Sequence, residues 1–160
     1  QSIDLPLYLV GEGDLSDKLR TMVHEKGLTG KVHFLGYKSP EALKALTPKA
    51  FIGYNLLDQS SPSYYYSLSN KFFDYMHAGI PSLSNNFPEY QKINNEYQVS
   101  ILLNLERQSI VETITYLQNN PAYYQELLNN CLNARKIFNW DQEAKHLVHL
   151  YQLYLGQKTC

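Results

Sequence analysis

An α/β domain, a parallel sheet of about five strands covered by helices on both faces, is the fold class this sequence predicts. Three observations carry that prediction. Short apolar runs alternate with stretches of helical period, several runs end at glycine, and the last third is helical throughout. Parallel strands need crossover connections, and alternation of strand with helix supplies them. At 160 residues the chain fits one domain with a buried core.

The elements follow in order. Leu5 to Val10 is a compact apolar stretch ending at Gly11, which reads as a buried first strand. From Asp14 the period becomes helical, with Leu15, Leu19, Met22 and Val23 on one face and Gly27 as the stop. Val32 to Leu35 is a second strand ending at Gly36. Ser39-Pro40-Glu41 then offers an N-cap, a first-turn proline and an acid for a helix to about Leu46. Phe51 to Tyr54 reads as a third strand. A polar loop rich in Ser and Tyr runs from Asp58 to Asn70, a length that is usually functional. Lys71 to His77 is helical with Gly79 as C-cap, Ile80 to Leu83 is a fourth strand, and Ser100 to Leu103 a fifth. The C-terminal helices, about 107–155, are marked by Ile110, Ile114 and Leu117, then by Pro121 with Leu127, Leu128 and Leu132. The third opens at Asn139-Trp140-Asp141, with Ala144, Leu147, Val148, Leu150 and Tyr151 running to Leu155. The first strand starts within five residues of Gln1, so the expectation is a piece of a longer chain.

Composition narrows the functions. Fourteen basic and 15 acidic residues give a net charge of −1, and no Lys/Arg cluster announces a nucleic-acid partner. No apolar run approaches the roughly 18 residues that span a bilayer, and no signal peptide opens the chain. The expectation is a cytoplasmic protein. Cys131 and Cys160 form neither a disulfide framework nor a metal site and read as free thiols. His24, His33, His77, His146 and His149 show no metal-ligand grouping, so no metal is expected. Fourteen tyrosines against six phenylalanines suit half-wet clefts as well as cores.

In an open parallel sheet, ligands bind beyond the carboxyl ends of the strands. Gly11-Glu12-Gly13 stands there, a turn whose amides can approach a phosphate, or simply a bend that needs glycine. It is a poor dinucleotide fingerprint, because Ser16 holds the third glycine position and Gly36-Tyr37 stands where a ribose-binding acid belongs. The segment Ser67 to Pro81 is more specific. Ser67, Ser69 and Asn70 bring small polar side chains, and together with Leu68 backbone amides, to a helix N-terminus, where partial positive charge favours an anion. Lys71 in the first turn opposes the helix dipole, and a phosphate would supply its reason. Asp74, one turn further, can accept both hydroxyls of a ribose. The competing reading of these two is a surface Lys–Asp pair. Tyr64, Tyr65 and Tyr66 either stack on a ligand or pack the loop. His77 either approaches a ligand or packs, and Glu89 caps or orients the next segment.

SLSNKFFDYMHAGIPSLS resembles the signature of the family-4 (group 1) retaining glycosyltransferases of the GT-B fold. LYLVGEGDLSDKL resembles that family's glycine turn, VHFLGYKSPEAL its second strand and helix, and FNWDQEAKHLVHLY its C-terminal helix. The resemblance covers nearly the whole chain, 1–160, as the Rossmann-like C-terminal domain that binds the nucleotide-sugar. It implies that the N-terminal acceptor domain and the first strand–helix unit of this domain precede Gln1. It further implies that Ser67 to Asn70 face the diphosphate, with Lys71 as its stabilising cation. Asp74 contacts the ribose, Gly36 and Tyr37 flank the nucleobase, and Gly11 and Gly13 face the donor and acceptor cleft. Tyr66 stands where the family's Glu-x7-Glu motif has its first Glu, which leaves the contact to the transferred sugar open, and Asp74 replaces the second. The implied donor is a UDP- or GDP-sugar with no other cofactor. The implied acceptor is a saccharide or lipid-linked saccharide at the cytoplasmic face of a membrane. Two other readings stand beside it: a non-catalytic nucleotide-binding module, and a nucleotide-sugar epimerase, which would need catalytic carboxylates that are not evident here.

Overall fold

The computed structural model describes residues 3–58 and 61–156. Cys160, Gln59 and Ser60, the last two within the expected loop, lie outside the described residues. The chain divides into two compact units, residues 1–49 and 50–160.

In the first unit, strand β1 (Leu7–Leu9) leads through helix α1 (Ser16–Glu25) to strand β2 (Val32–Phe34), and helix α2 (Pro40–Leu46) follows. The strands pair in parallel with Leu7 opposite Val32 and Leu9 opposite Phe34, and the Tyr8 ring stacks on His33 at 5.0 Å. Helix α2 starts as its sequence demands: the Ser39 hydroxyl accepts from Ala42 N at 3.3 Å, with Pro40 in the first turn. Beyond α1, Gly27 adopts a left-handed φ of 63° and ends the helix. The buried first strand expected from Leu5 to Val10 is corrected: β1 has three residues, and Leu7 and Tyr8 are 44% and 54% exposed. No described residue of this unit is buried. Two strands make too small a sheet to enclose their own side chains.

In the second unit, strands β3 (Gly53–Asn55), β4 (Ser82–Asn85) and β5 (Ser100–Leu103) form a parallel sheet with β4 central. Helix α3 (Pro62–Tyr65) and helix α4 (Asn70–Ala78) lie between β3 and β4, and helix α5 (Pro88–Tyr97) between β4 and β5. Helices α6 (Arg107–Asn119), α7 (Pro121–Ala134) and α8 (Trp140–Gly156) complete the chain. The five expected strands are present and parallel, divided between two sheets. The helices α3 and α5 were not expected. Tyr90, Ile93 and Tyr97 do recur at helical spacing in α5 behind a first-turn proline, but Asn and Gln fill the positions between them.

The core joins Phe72 and Met76 of α4 to Phe87, Tyr90, Val99, Cys131 and Ala134. Helices α4 and α7 touch at Gly79, whose φ is 76° and whose place a Cβ would share with Leu132 Cδ2 at 2.8 Å. Burial pushes the Cys131 thiol up to about 12, so it is protonated and inert at neutral pH. The sheet interior is unusually polar. Ser82 Oγ donates to Ser100 Oγ at 3.1 Å and lies 3.1 Å from Ser84 Oγ; Ser100 Oγ also reaches Ser82 O at 2.7 Å, and Asn55 Nδ2 donates to Ser84 Oγ at 3.3 Å. All four residues are buried. Helix α8 has 17 residues, and its apolar Leu147, Val148, Leu150 and Tyr151 are exposed. Among the described residues, no helix is long and apolar enough to cross a membrane.

Candidate functional site

Helix α4 connects parallel strands, so it runs antiparallel to them and its amino end stands at the carboxyl end of the second unit's sheet. The chain reaches that end through a loop fastened at its root. Asn85 Oδ1 accepts from Leu57 N at 2.6 Å and Asn85 Nδ2 donates to Leu57 O at 3.0 Å, so one buried side chain imitates a strand partner. Helix α3 then turns the chain, capped by Ser61 Oγ accepting from Ser63 N at 3.2 Å. Ser67 N and Ser67 Oγ both donate to Tyr64 O, at 3.1 and 2.8 Å.

Ser69 is the N-cap of α4. Its Oγ accepts from Lys71 N at 3.2 Å, and its carbonyl accepts from Phe72 N at 3.0 Å. Its own amide donates to Tyr90 Oη at 3.1 Å. The amides of Ser67 and Ser69 are thus committed within the protein. Among the described residues, the amides of Leu68 and Asn70 have no such partner. Helix α4 buries Phe72 and Met76 against the core, which turns Lys71 and Asp74 outward on the opposite face. Neither Lys71 nor Asp74 joins an ion pair among the described residues, so the surface-pair reading of the two has no support in the geometry. The helix end therefore carries open amides, the dipole's positive pole and a lysine with no carboxylate against it. That is an arrangement for an anion with several oxygens.

The neighbouring candidates sort themselves by position. Tyr65 packs on Phe87 at 5.3 Å and edge-on to Tyr66 at 5.0 Å, whereas Tyr66 is 67% exposed at the end of α3. His77 lies six residues beyond Lys71, about 9 Å along the helix. It is engaged there: its Nε2 stands 2.6 Å from Phe138 O, and its carbonyl accepts from Arg135 at 3.2 Å. It serves the end of α4 away from the candidate site. Glu89 pairs with Lys92 at 2.6 Å in the first turn of α5. Among the described residues, no group of three or more His, Cys, Asp or Glu could hold a metal ion.

In the first unit, Gly11 N donates to Gly36 O at 2.9 Å, which joins the two turns at the carboxyl ends of β1 and β2. Gly11 and Gly36 have φ of 122° and 63°, so both turns need glycine. Gly13 N donates to Ser16 Oγ at 2.9 Å, and Tyr37 is 80% exposed. Arg20, bonded to Glu12 at 2.6 Å, holds that carboxyl below its usual range, with Ser16 adding to the effect. The amides of Gly11 and Gly13 are taken and a carboxylate stands between them, so this turn offers a phosphate less than the amino end of α4 does.

Sequence reasoning missed Tyr90 and Asn85, the two side chains that hold the loop from beneath. Each acts on a residue 21 or 28 positions away. The only local hint is a helix start, Phe87-Pro88-Glu89, that places Tyr90 in a first turn.

The family model for "Glycosyl transferases group 1" matches residues 1–136. No curated protein matches the chain. Solved structures similar in fold include the following two. Sucrose-phosphate synthase from Thermosynechococcus elongatus has a TM-score of 0.76 at 21% identity, over 94% of this chain and 39% of that one. Anabaena HepE, solved in complex with UDP, has a TM-score of 0.71 at 15% identity, over 92% of this chain and 41% of that one. The chain thus spans about two fifths of the length of either neighbour. The likeness shows the Rossmann-like fold of GT-B proteins, and the family match over most of the sequence completes the assignment: this chain belongs to the group 1 glycosyl transferases.

Proposed function

We propose that this chain is the donor-binding, C-terminal domain of a glycosyltransferase that moves a sugar from a nucleoside diphosphate to a saccharide or lipid-linked acceptor. The observation that carries the reading is the amino end of α4, where among the described residues the amides of Leu68 and Asn70 are open and Lys71 is unpaired. When the bond from the anomeric carbon to the diphosphate breaks, the leaving oxygen gains negative charge. Fixed amides and a lysine stabilise that charge without a metal, and act most strongly as it develops. Asp74 accepts hydrogen bonds from the ribose, and the exposed ring of Tyr66 meets the transferred sugar where the family motif has a carboxylate. The family resemblance assigns Gly36 and Tyr37 to the nucleobase, and Gly11 and Gly13 to the donor and acceptor cleft. HepE was solved with UDP, which favours a uridine nucleotide, with GDP the alternative. The acceptor-binding domain belongs to the same protein, which works at the cytoplasmic face of a membrane with retention of configuration. The fragment alone is inactive.

Product analysis of the full-length protein with a panel of UDP- and GDP-sugars tests the reading. The expected result is free nucleoside diphosphate together with a glycosylated acceptor of retained anomeric configuration. A donor returned with an altered sugar would indicate epimerisation. Binding without turnover across the panel would indicate a nucleotide-binding module, the outcome that the missing carboxylate at Tyr66 would then explain.

A further inference from the structure

Tyr90 is a buried residue with one polar atom, and that atom is committed to the candidate site. Its ring packs 5.2 Å from Phe72 and 6.3 Å from Phe87, and the residue is 0% exposed. A phenylalanine would fill the same space, so packing does not account for the hydroxyl. A phenol without a partner would also be costly in such a place. Its partner is Ser69 N, at 3.1 Å. Ser69 is the cap of α4, and the residues on either side of it are Leu68 and Asn70, whose amides are open. Through this bond Tyr90 fixes the peptide plane that joins Leu68 to Ser69. The Ser69 carbonyl, held by Phe72 N at 3.0 Å, fixes the next plane, which carries the Asn70 amide.

We infer that Tyr90 is a positioning residue for the diphosphate. Its buried hydroxyl ties the cap of α4 to α5 and so anchors Ser69, the residue between the two open amides that would face the anion. The inference rests on the proposed reading of the α4 amino end as a diphosphate site. It differs from that reading in assigning a role to a side chain that never touches the ligand.

Calorimetric titration of the full-length protein with UDP and with uridine tests it, using Tyr90→Phe and Lys71→Ala. Tyr90→Phe is expected to weaken UDP about fivefold, the worth of one hydrogen bond, and to leave uridine binding unchanged. A variant that merely loosened the fold would weaken both alike, and that result overturns the inference. Ser69→Pro removes the same donor from the loop side, together with the cap hydroxyl, and the φ of −74° at Ser69 suits a proline ring. In that background Tyr90→Phe should have no further effect on UDP, whereas an additive loss would show that Tyr90 acts by another route. Unchanged UDP affinity in Lys71→Ala would sink the diphosphate site itself. A loss in Lys71→Ala with an unaltered UDP-to-uridine ratio in Tyr90→Phe would sink only the role of Tyr90.

Discussion

Lys71→Ala in the full-length protein is expected to lower kcat about a hundredfold and to weaken UDP or GDP binding about tenfold. The two effects differ because the lysine meets different charges in the two states. A bound nucleoside diphosphate already carries negative oxygens, and one exposed cation adds roughly a factor of ten to their binding. In the transition state the leaving oxygen gains further charge, and loss of a fixed stabiliser at such a point typically costs about 10² to 10³ in turnover. A cation in the first turn of α4 works against the helix dipole and has no carboxylate partner among the described residues, and a bound diphosphate would account for its place. Steady-state kinetics and calorimetry on one preparation separate the two numbers. Weaker nucleotide binding with kcat unchanged would make Lys71 a binding residue only, and no loss in either would remove it from the site.

Gly53→Ala is expected to destabilise the protein by about 3 kcal/mol, near the upper end for overpacked cores. A Cβ at Gly53 would stand 2.3 Å from Cγ and Cδ2 of Tyr75. Those atoms are the root of the ring, not a mobile tip. The ring is also held at its far end, where Tyr75 Oη donates to Tyr54 O at 3.5 Å. Relief therefore requires movement of α4 against β3, the two elements that flank the loop of the candidate site. Urea unfolding measures the loss, and Gly30→Ala is the control, because a Cβ there meets nothing within 4 Å. A loss at Gly53 of under 1 kcal/mol would mean that the ring repacks freely.

The parts of this fold that local chemistry determines were legible in the sequence. Ser39 and Gly79 act at helix ends as their side chains, or lack of one, require, and α4 begins within one residue of its expected start. The amino end of α4 was legible for the same reason, since caps, dipole and charge all lie within a few residues. What escaped was set by contacts across the fold. Strands of three or four residues are too short to show a period, so Leu5 to Val10 looked buried although β1 is exposed. Ser84 and Asn85 hid the end of β4, which runs two residues past its expected end at Leu83. Helix α5 was hidden by its asparagines, and with it Tyr90, whose role depends on a loop residue that no local pattern connects to it.

The row of hydroxyls across the second unit's sheet has a consequence for how its strands find one another. A parallel strand of plain aliphatic residues can slide by two positions and still present the same face, so grease alone tolerates a shifted alignment. Here Ser82 matches Ser100, and Asn55 matches Ser84. Moving β4 by two would set Ser82 against Leu102 and Ser100 against Ile80, at about 1–3 kcal/mol for a hydroxyl left without its partner. The middle strand is thereby keyed to both neighbours at once.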